Sequence, residues 1–275
     1  MSIIKPLDGG KHVKLSDFDP GHHNGLDRED AEAQSAKLLV ELGELQELLY
    51  ASQETSVLIV LQGLDSAGKD GTIDHIFRGL NPQSCHVASF KVPTPLECNH
   101  DFLWRIHEAA PQKGTIKIFN RSHYEDVLVV RVHNIVPEKI WRKRYDEINA
   151  FERLLTDNGT IILKFFLHIS KDEQKERLLQ READPAKSWK LSVQDWKERE
   201  LWDQYQAAYE DVLNICSKPH APWIVTPANH KWFRNLVVAE AIVESLQPYR
   251  NDWEKRLNAI GQKEKELLAQ MRQQK

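Results

Sequence analysis

The stretch LIVLQGLDSAGKDGTIDHIF, Leu58–Phe77, decides how this chain is read. With Val57 it opens on VLIVLQ, a short apolar run rich in β-branched residues, the composition of a strand buried on both faces. Gly63 to Lys69 follows at once and matches G-x-x-x-x-G-K, the core of a P-loop or Walker A motif. GTIDHIF then reads as a helix that stops before Asn81-Pro82. Strand, glycine loop and helix in this order form the context in which such a motif cradles phosphate. Glycines let backbone N–H groups curl round an anion, the helix start adds positive potential, and Lys69 reaches the transferring phosphate. A glycine-rich turn with a surface lysine is the plainer reading, and the order of the three elements disfavours it.

Two residues break the usual pattern. Asp70 stands where Ser or Thr normally follows the lysine, and Asp65 lies inside the loop. Carboxylates beside phosphate oxygens repel them in a partly desolvated site. A divalent cation bridging the two removes the conflict, and Mg2+ suits few carboxylates completed by phosphate oxygens and water. Asp65 is placed to face a cleft. Asp70 sits in the first helical turn, where stabilising the helix N-terminus explains it equally well. Thr72 brings a hydroxyl, but two positions later than the usual magnesium ligand.

The same alternation continues outward. HVASF (86–90), TIKIF (115–119), TIILKFFLHI (160–169) and PWIVTP (222–227) read as further strands. Helical patterns lie between them at roughly 96–110, 137–157, 171–182 and 231–246. This predicts an α/β fold with a central parallel sheet covered on both faces. Residues 1–26 read as an irregular arm. Asp27 caps a helix whose Leu38, Leu39, Leu42, Leu45, Leu48 and Leu49 recur at helical spacing and which ends near Tyr50. The expected division is an arm and helix over 1–54, a core over 55–248 and a charged tail over 249–275, read as a solvated helix or partly disordered.

Composition narrows the class. Hydrophobic residues make up 41% and charged ones 28%, ordinary for a globular chain of 275 residues. No apolar run approaches the ~20 residues that cross a bilayer, and the N-terminus lacks the apolar core of a secretory signal. Three scattered cysteines suggest neither a disulfide framework nor a zinc site. The net charge of −4 argues against a wholly basic nucleic-acid binder but allows a local basic trough. A cytoplasmic enzyme without membrane or nucleic-acid partners is the expectation.

A second constellation begins at Ile116. IKIFNRSHYEDVLVVRV starts as a buried strand and turns polar at Asn120. Ligands gather at the carboxyl ends of strands in open α/β sheets, which puts Asn120, Arg121, Ser122, His123, Tyr124, Glu125 and Asp126 near the P-loop. Arg121 suits bidentate phosphate contact, and Asp126 is a candidate to complete a metal site with Asp65. His123 is read as a hydrogen-bonding or packing residue, because a phosphate nucleophile needs little proton abstraction. His12, His22 and His23 have no ligand spacing and are read as solvent-facing. In SKDEQKERLLQREADPAKSWKLS (170–192), Arg177 and Arg181 share a helix face, with Lys187 and Lys190 beyond Asp184-Pro185. A lid closing over phosphates and an ordinary solvated helix both fit that segment.

GLDSAGKDGTI, FNRSHYEDVLVVRV, FFLHISKDEQKERL, DPAKSWKLS and APWIVTPANHKWFRN together resemble the polyphosphate kinase 2 family over roughly Leu15 to Gln247. The resemblance implies a P-loop kinase fold like thymidylate kinase, three layers with a parallel sheet and a helical lid at about 171–200. It implies Mg2+-dependent, reversible phosphoryl transfer between inorganic polyphosphate and nucleotides, by a homo-oligomer such as a dimer or tetramer. Asp65, Lys69, Arg121 and Asp126 fall on the catalytic positions, with Asp65 and Asp126 as metal ligands. Gly63, Ser66, Ala67, Gly68, Asp70, Gly71, Thr72, Asn120 and Glu125 join Lys69 and Arg121 as phosphate- and nucleotide-binding positions. Arg131, Arg177, Arg181, Lys187 and Lys190 fall on the polyphosphate channel and lid. The RSHYED form resembles the class that accepts both AMP and ADP, so ADP to ATP and AMP to ADP are the implied reactions. An ATP-dependent nucleoside or nucleotide kinase of the same fold is the alternative.

Overall fold

A computed structural model describes residues 3–190 and 192–273, without the side chains of Lys187, Ser188 and Lys190. In chain order its elements are α1 (Arg28–Ser52), β1 (Ser56–Gln62), α2 (Lys69–Phe77), β2 (Cys85–Ser89), α3 (Pro95–Cys98), α4 (Trp104–Glu108), β3 (Ile116–Asn120), α5 (Val129–Val132), α6 (Glu138–Asp157), β4 (Thr160–His168), α7 (Lys171–Ala183), α8 (Val193–Glu200), α9 (Trp202–Cys216), β5 (Trp223–Pro227), α10 (Lys231–Leu246) and α11 (Arg250–Gln273). The five strands pair in parallel in the order β2-β3-β1-β4-β5. β1 is flanked on both sides, with Val57 opposite Ile116 and Ile161, and all seven of its residues are buried. That is what an uninterrupted β-branched run requires.

Helices α1, α10 and α11 pack together, and α6 and α9 form a second group, giving the expected three layers. Asp27 caps α1 by accepting the Asp30 N–H at 2.9 Å. Leu42, Leu45 and Leu49 of α1 share one core with the strands. The arm is sewn to the β5 side: Leu7 N–H donates to Trp223 O at 2.8 Å, Leu15 N–H to Glu210 at 2.8 Å, and Asn229 N–H to Pro20 O at 3.0 Å. His12, His22 and His23 are exposed, yet His22 meets Phe233 edge-on and His23 meets His230 and Trp232.

Two differences from the sequence reading stand out. The expected helix at 96–110 is two short helices, α3 and α4. Helix α8 falls within the expected lid, but a further helix, α9, follows it over Trp202–Cys216, beyond any expected pattern. The tail takes the first of its two expected forms, a solvated helix, α11, in which only Trp253 is buried. Among the described residues no helix is long and apolar enough to cross a membrane.

One buried polar cluster ties the core to the loop after β3. Lys164 of β4 donates to Glu152 at 2.6 Å, to Tyr124 Oη at 2.8 Å and to Cys216 O at 2.8 Å. Tyr124 Oη donates to Glu152 at 2.7 Å, and His123 Nε2 lies 3.2 Å from the same oxygen. The side chains of Lys164, Glu152 and His123 are completely buried. Burial pushes His123 below its ordinary pKa, so its imidazole is neutral. Burial opposes charge on Glu152, but Lys164 and His123 outweigh it and hold that carboxylate ionised. His123 and Tyr124 are thus rooted in the core, and the residues either side of them are aimed by that root.

Candidate active site

β1 ends at Gln62 and the chain turns sharply through the glycine loop. Gly63 (φ 154°) has no room for a side chain, since a Cβ there would lie 2.9 Å from Leu167 O. Gly68 (φ 108°) starts α2, and Ser66 takes the left-handed region with φ 64°. Arg121, just beyond β3, does the same with φ 60°. Two non-glycine residues in this sparsely populated region face each other across one cleft, where strain marks a working site. The cleft measures about 770 Å³ and lies at the carboxyl ends of the strands, lined by Asp65, Ser66, Gly68, Lys69, Asp70 and Gly71 of the loop, by Asn120 and Arg121, and by Arg177, Arg181, Lys231 and Arg234.

Arg121 Nη2 donates to Asp65 Oδ1 at 2.9 Å. Burial disfavours its charge, but Glu125 and Asp65 outweigh burial and hold its pKa above the ordinary value. Lys69 folds back onto its own loop, donating to Gly63 O at 2.6 Å and Leu64 O at 3.2 Å. Burial lowers its pKa, opposed by Asp65, Glu125 and Asp70. Asn120 Nδ2 donates to Asp70 Oδ1 at 2.8 Å, which ties the first turn of α2 to the end of β3. Thr72 lies inside the helix with its hydroxyl on Gly68 O at 3.1 Å, away from the cleft. Glu125 accepts from Gln62 at 3.1 Å; burial raises its pKa, against the pull of Arg121 and Lys69.

Asp126 departs from expectation. Arg144 Nη1 donates to Asp126 Oδ1 at 3.0 Å and Arg105 Nη2 lies 3.8 Å from Oδ2. The carboxylate is 11% exposed and burial pushes its pKa up to about 6, against Arg144 and Arg105. It does not line the cleft, and Asp65 is not among its charged neighbours. The turn of the short 3-10 helix His123–Asp126 explains the separation: Glu125 is sent toward Lys69 and Arg121, and Asp126 toward α4 and α6.

The basic residues also divide. Arg177 spends its guanidinium on Ser66 O, Ala67 O, Ala228 O and Asn229 O at 2.6–3.1 Å, with Nε on Glu173 at 2.8 Å. It clamps the P-loop to the turn after β5 and has no donor left over for a long anion. Arg181 bonds Ser66 Oγ at 2.8 Å and Asp195 at 2.7 Å, so α7 reaches the loop directly and α8 holds the arginine that does so. Arg131 turns away, donating to Asp211 at 2.6 Å over the ring of Trp141, and does not line the cleft. The side chains of Lys187 and Lys190 lie outside the described residues.

The sequence reading passed over Arg234, Lys231, Asp195, Arg105 and Arg144. Lys231 and Arg234 carried a usable signal, two cations three apart on the first turn after a buried strand. The others owe their places to contacts distant in sequence.

Among the described residues no three His, Cys, Asp or Glu side chains form a metal cage. The donors at the cleft are hard oxygens, Asp65 and Asp70, with the Asn120 amide oxygen. That set fits an ion taking few protein ligands and completing its shell from phosphate and water, as Mg2+ does.

A family model described as polyphosphate kinase 2 matches residues 25–255. The chain is 52% identical over 236 residues to the AMP/ADP-polyphosphate phosphotransferase of Meiothermus ruber, covering 85% of this chain and 88% of that protein. It is 46% identical over 245 residues to the ADP-polyphosphate phosphotransferase of Rhodopseudomonas palustris, covering 85% and 83%. The crystal structure of polyphosphate kinase 2 from Arthrobacter aurescens TC1 superposes with TM-score 0.86 at 38% identity, over 91% of this chain and 93% of that one.

Proposed function

The chain belongs to the polyphosphate kinase 2 family, and from that premise we propose that it moves a phosphoryl group from inorganic polyphosphate to ADP, giving ATP, and to AMP, giving ADP, reversibly. One observation carries the choice of acceptors: the relative that is 52% identical over most of both chains is named for both. The cleft supports the chemistry. A P-loop with Lys69, faced by Arg121, gives two cations for the charge spreading over the equatorial oxygens of the migrating group.

The terminal phosphate oxygen of the nucleotide is the nucleophile. It forms the new P–O bond as the bridging P–O bond of polyphosphate breaks, and the chain leaves one unit shorter as an anion. No protein nucleophile is needed. Asp65 is the residue that would hold Mg2+, with Asn120 and Asp70 beside it; the ion when bound neutralises phosphate charge. Arg121 shares Asp65 in the structure described, so the same carboxylate aims the arginine. Asp126, held by Arg105 and Arg144, sets the positions of those arginines rather than holding the ion. Arg177 and Arg181 fix the lid segment against the loop. The reading includes a cytoplasmic homo-oligomer, which light scattering checks.

A donor and acceptor panel tests the reaction. Protein with long-chain polyphosphate, Mg2+ and ADP or AMP should yield the next higher nucleotide. Product from ATP and a nucleoside with polyphosphate omitted would instead establish the ATP-dependent alternative.

A further inference from the structure

The charge least accounted for in this cleft is Arg234. It sits in the first turn of α10 and is 2% exposed. Its Nη1 donates to Ala67 O at 3.3 Å, and its Nε and Nη2 both donate to Asn235 Oδ1, at 3.2 and 2.8 Å. Of the five N–H groups of a guanidinium, these bonds use three. Among the described residues no carboxylate pairs with it, and the titratable groups that feel its charge are another cation, Arg177, and His75. Burial, then Arg177, push its pKa down to about 9.

The guanidinium lies directly on the P-loop. A Cβ built on Gly68 would stand 1.8 Å from Nη1, and one on Gly71 3.5 Å from Nη2. This is the N-terminal turn of α2, whose free N–H groups already carry positive potential. A buried cation set against a helix N-terminus and a second arginine is repelled by both, and only neutral oxygens, Ala67 O and Asn235 Oδ1, offset that repulsion. Buried charges are ordinarily paired, and this one lines the cleft with Lys231 three residues before it.

We propose that Arg234 binds the condensed-phosphate donor: its unspent N–H groups take the phosphate next to the one held in the P-loop, and the arriving anion supplies its missing counter-charge. The claim rests on the proposed function and names a residue for its donor subsite. The donor is favoured over the nucleotide because this wall holds successive cations, Arg181, Lys231 and Arg234, as a repeating anion requires. The rest of the lining includes Phe90 and Val92, with a single cation, Lys91, between them.

The test compares wild type, Arg234→Lys and Arg234→Met. Tripolyphosphate, without nucleotide or Mg2+, is titrated while melting temperature is followed, and steady-state constants are then measured for polyphosphate and ADP. Arg234→Met is expected to lose most of the tripolyphosphate-induced rise in melting temperature. Its KM for polyphosphate should rise about tenfold or more, with the KM for ADP nearly unchanged; Arg234→Lys should fall between. Unchanged polyphosphate KM and unchanged stabilisation overturn the inference. So does an equal loss toward ADP, the mark of a brace acting only through Gly68. Should Arg234→Met fail to fold, Arg234→Lys carries the same comparison. A wild type that is stabilised by tripolyphosphate yet transfers nothing from polyphosphate would refute the proposed reaction, and the stabilisation of the variants would still decide the role of Arg234.

Discussion

Replacing Gly68 by Ala disturbs two things the structure keeps separate. An alanine at φ 108° sits in a region L-residues rarely adopt, costing about 1–3 kcal/mol. Its methyl would also fall 1.8 Å from Arg234 Nη1, so the guanidinium must leave Ala67 O. Losing a hydrogen bond made by a charged group while the group stays buried costs a further ~1.5–3 kcal/mol. Together Gly68→Ala should lower unfolding free energy by about 2.5–6 kcal/mol, and melting temperature by about 5–24 °C at this chain length. Urea denaturation of Gly68→Ala, Arg234→Ala and the double variant separates the two parts. With Arg234 truncated the methyl has nothing to strike, so the Gly68→Ala cost should shrink to backbone strain, leaving a coupling of about 2 kcal/mol. Strict additivity, within about 0.5 kcal/mol, would show that the guanidinium does not press on the loop and would refute the reasoning.

The pKa of Asp126, raised to about 6 by burial, gives a pH dependence of definite sign. The folded state binds this proton more tightly than the unfolded chain, so the contribution falls as pH rises from about 4 to about 6. Asp126→Asn should flatten that part of a stability-versus-pH curve measured by urea denaturation; an unchanged slope counts against it. Lys164→Met leaves Glu152 buried without its cation and should cost about 3–5 kcal/mol. Lys164→Met/Glu152→Leu should recover much of that loss in the same assay, and a double variant weaker than Lys164→Met alone would contradict the account of this pair.

What was legible in the sequence is what depends on near neighbours. β1 could be read because Val57–Leu61 are buried and apolar by type, and the P-loop because its G-x-x-x-x-G-K pattern is contiguous, with Gly63 and Gly68 both at positive φ. Asp126 was misplaced because its neighbours are set by Arg105 and Arg144, which reach it from α4 and α6. Arg131 and Arg177 read as cations for a long anion; Asp211 and the Ala228 and Asn229 carbonyls, far along the chain, claim them instead. Helix α9 escaped notice because a single residue, Leu201, separates it from α8 and no glycine or proline marks its start.

The account turns on Asp65, a carboxylate placed beside a phosphate cradle. Turnover of Asp65→Asn with polyphosphate, Mg2+ and ADP, measured alongside calorimetric binding of tripolyphosphate with and without Mg2+, tests it most directly. The expected result is turnover reduced about a thousandfold, tripolyphosphate still bound, and no strengthening of that binding by Mg2+. Near-wild-type turnover by Asp65→Asn would contradict the account.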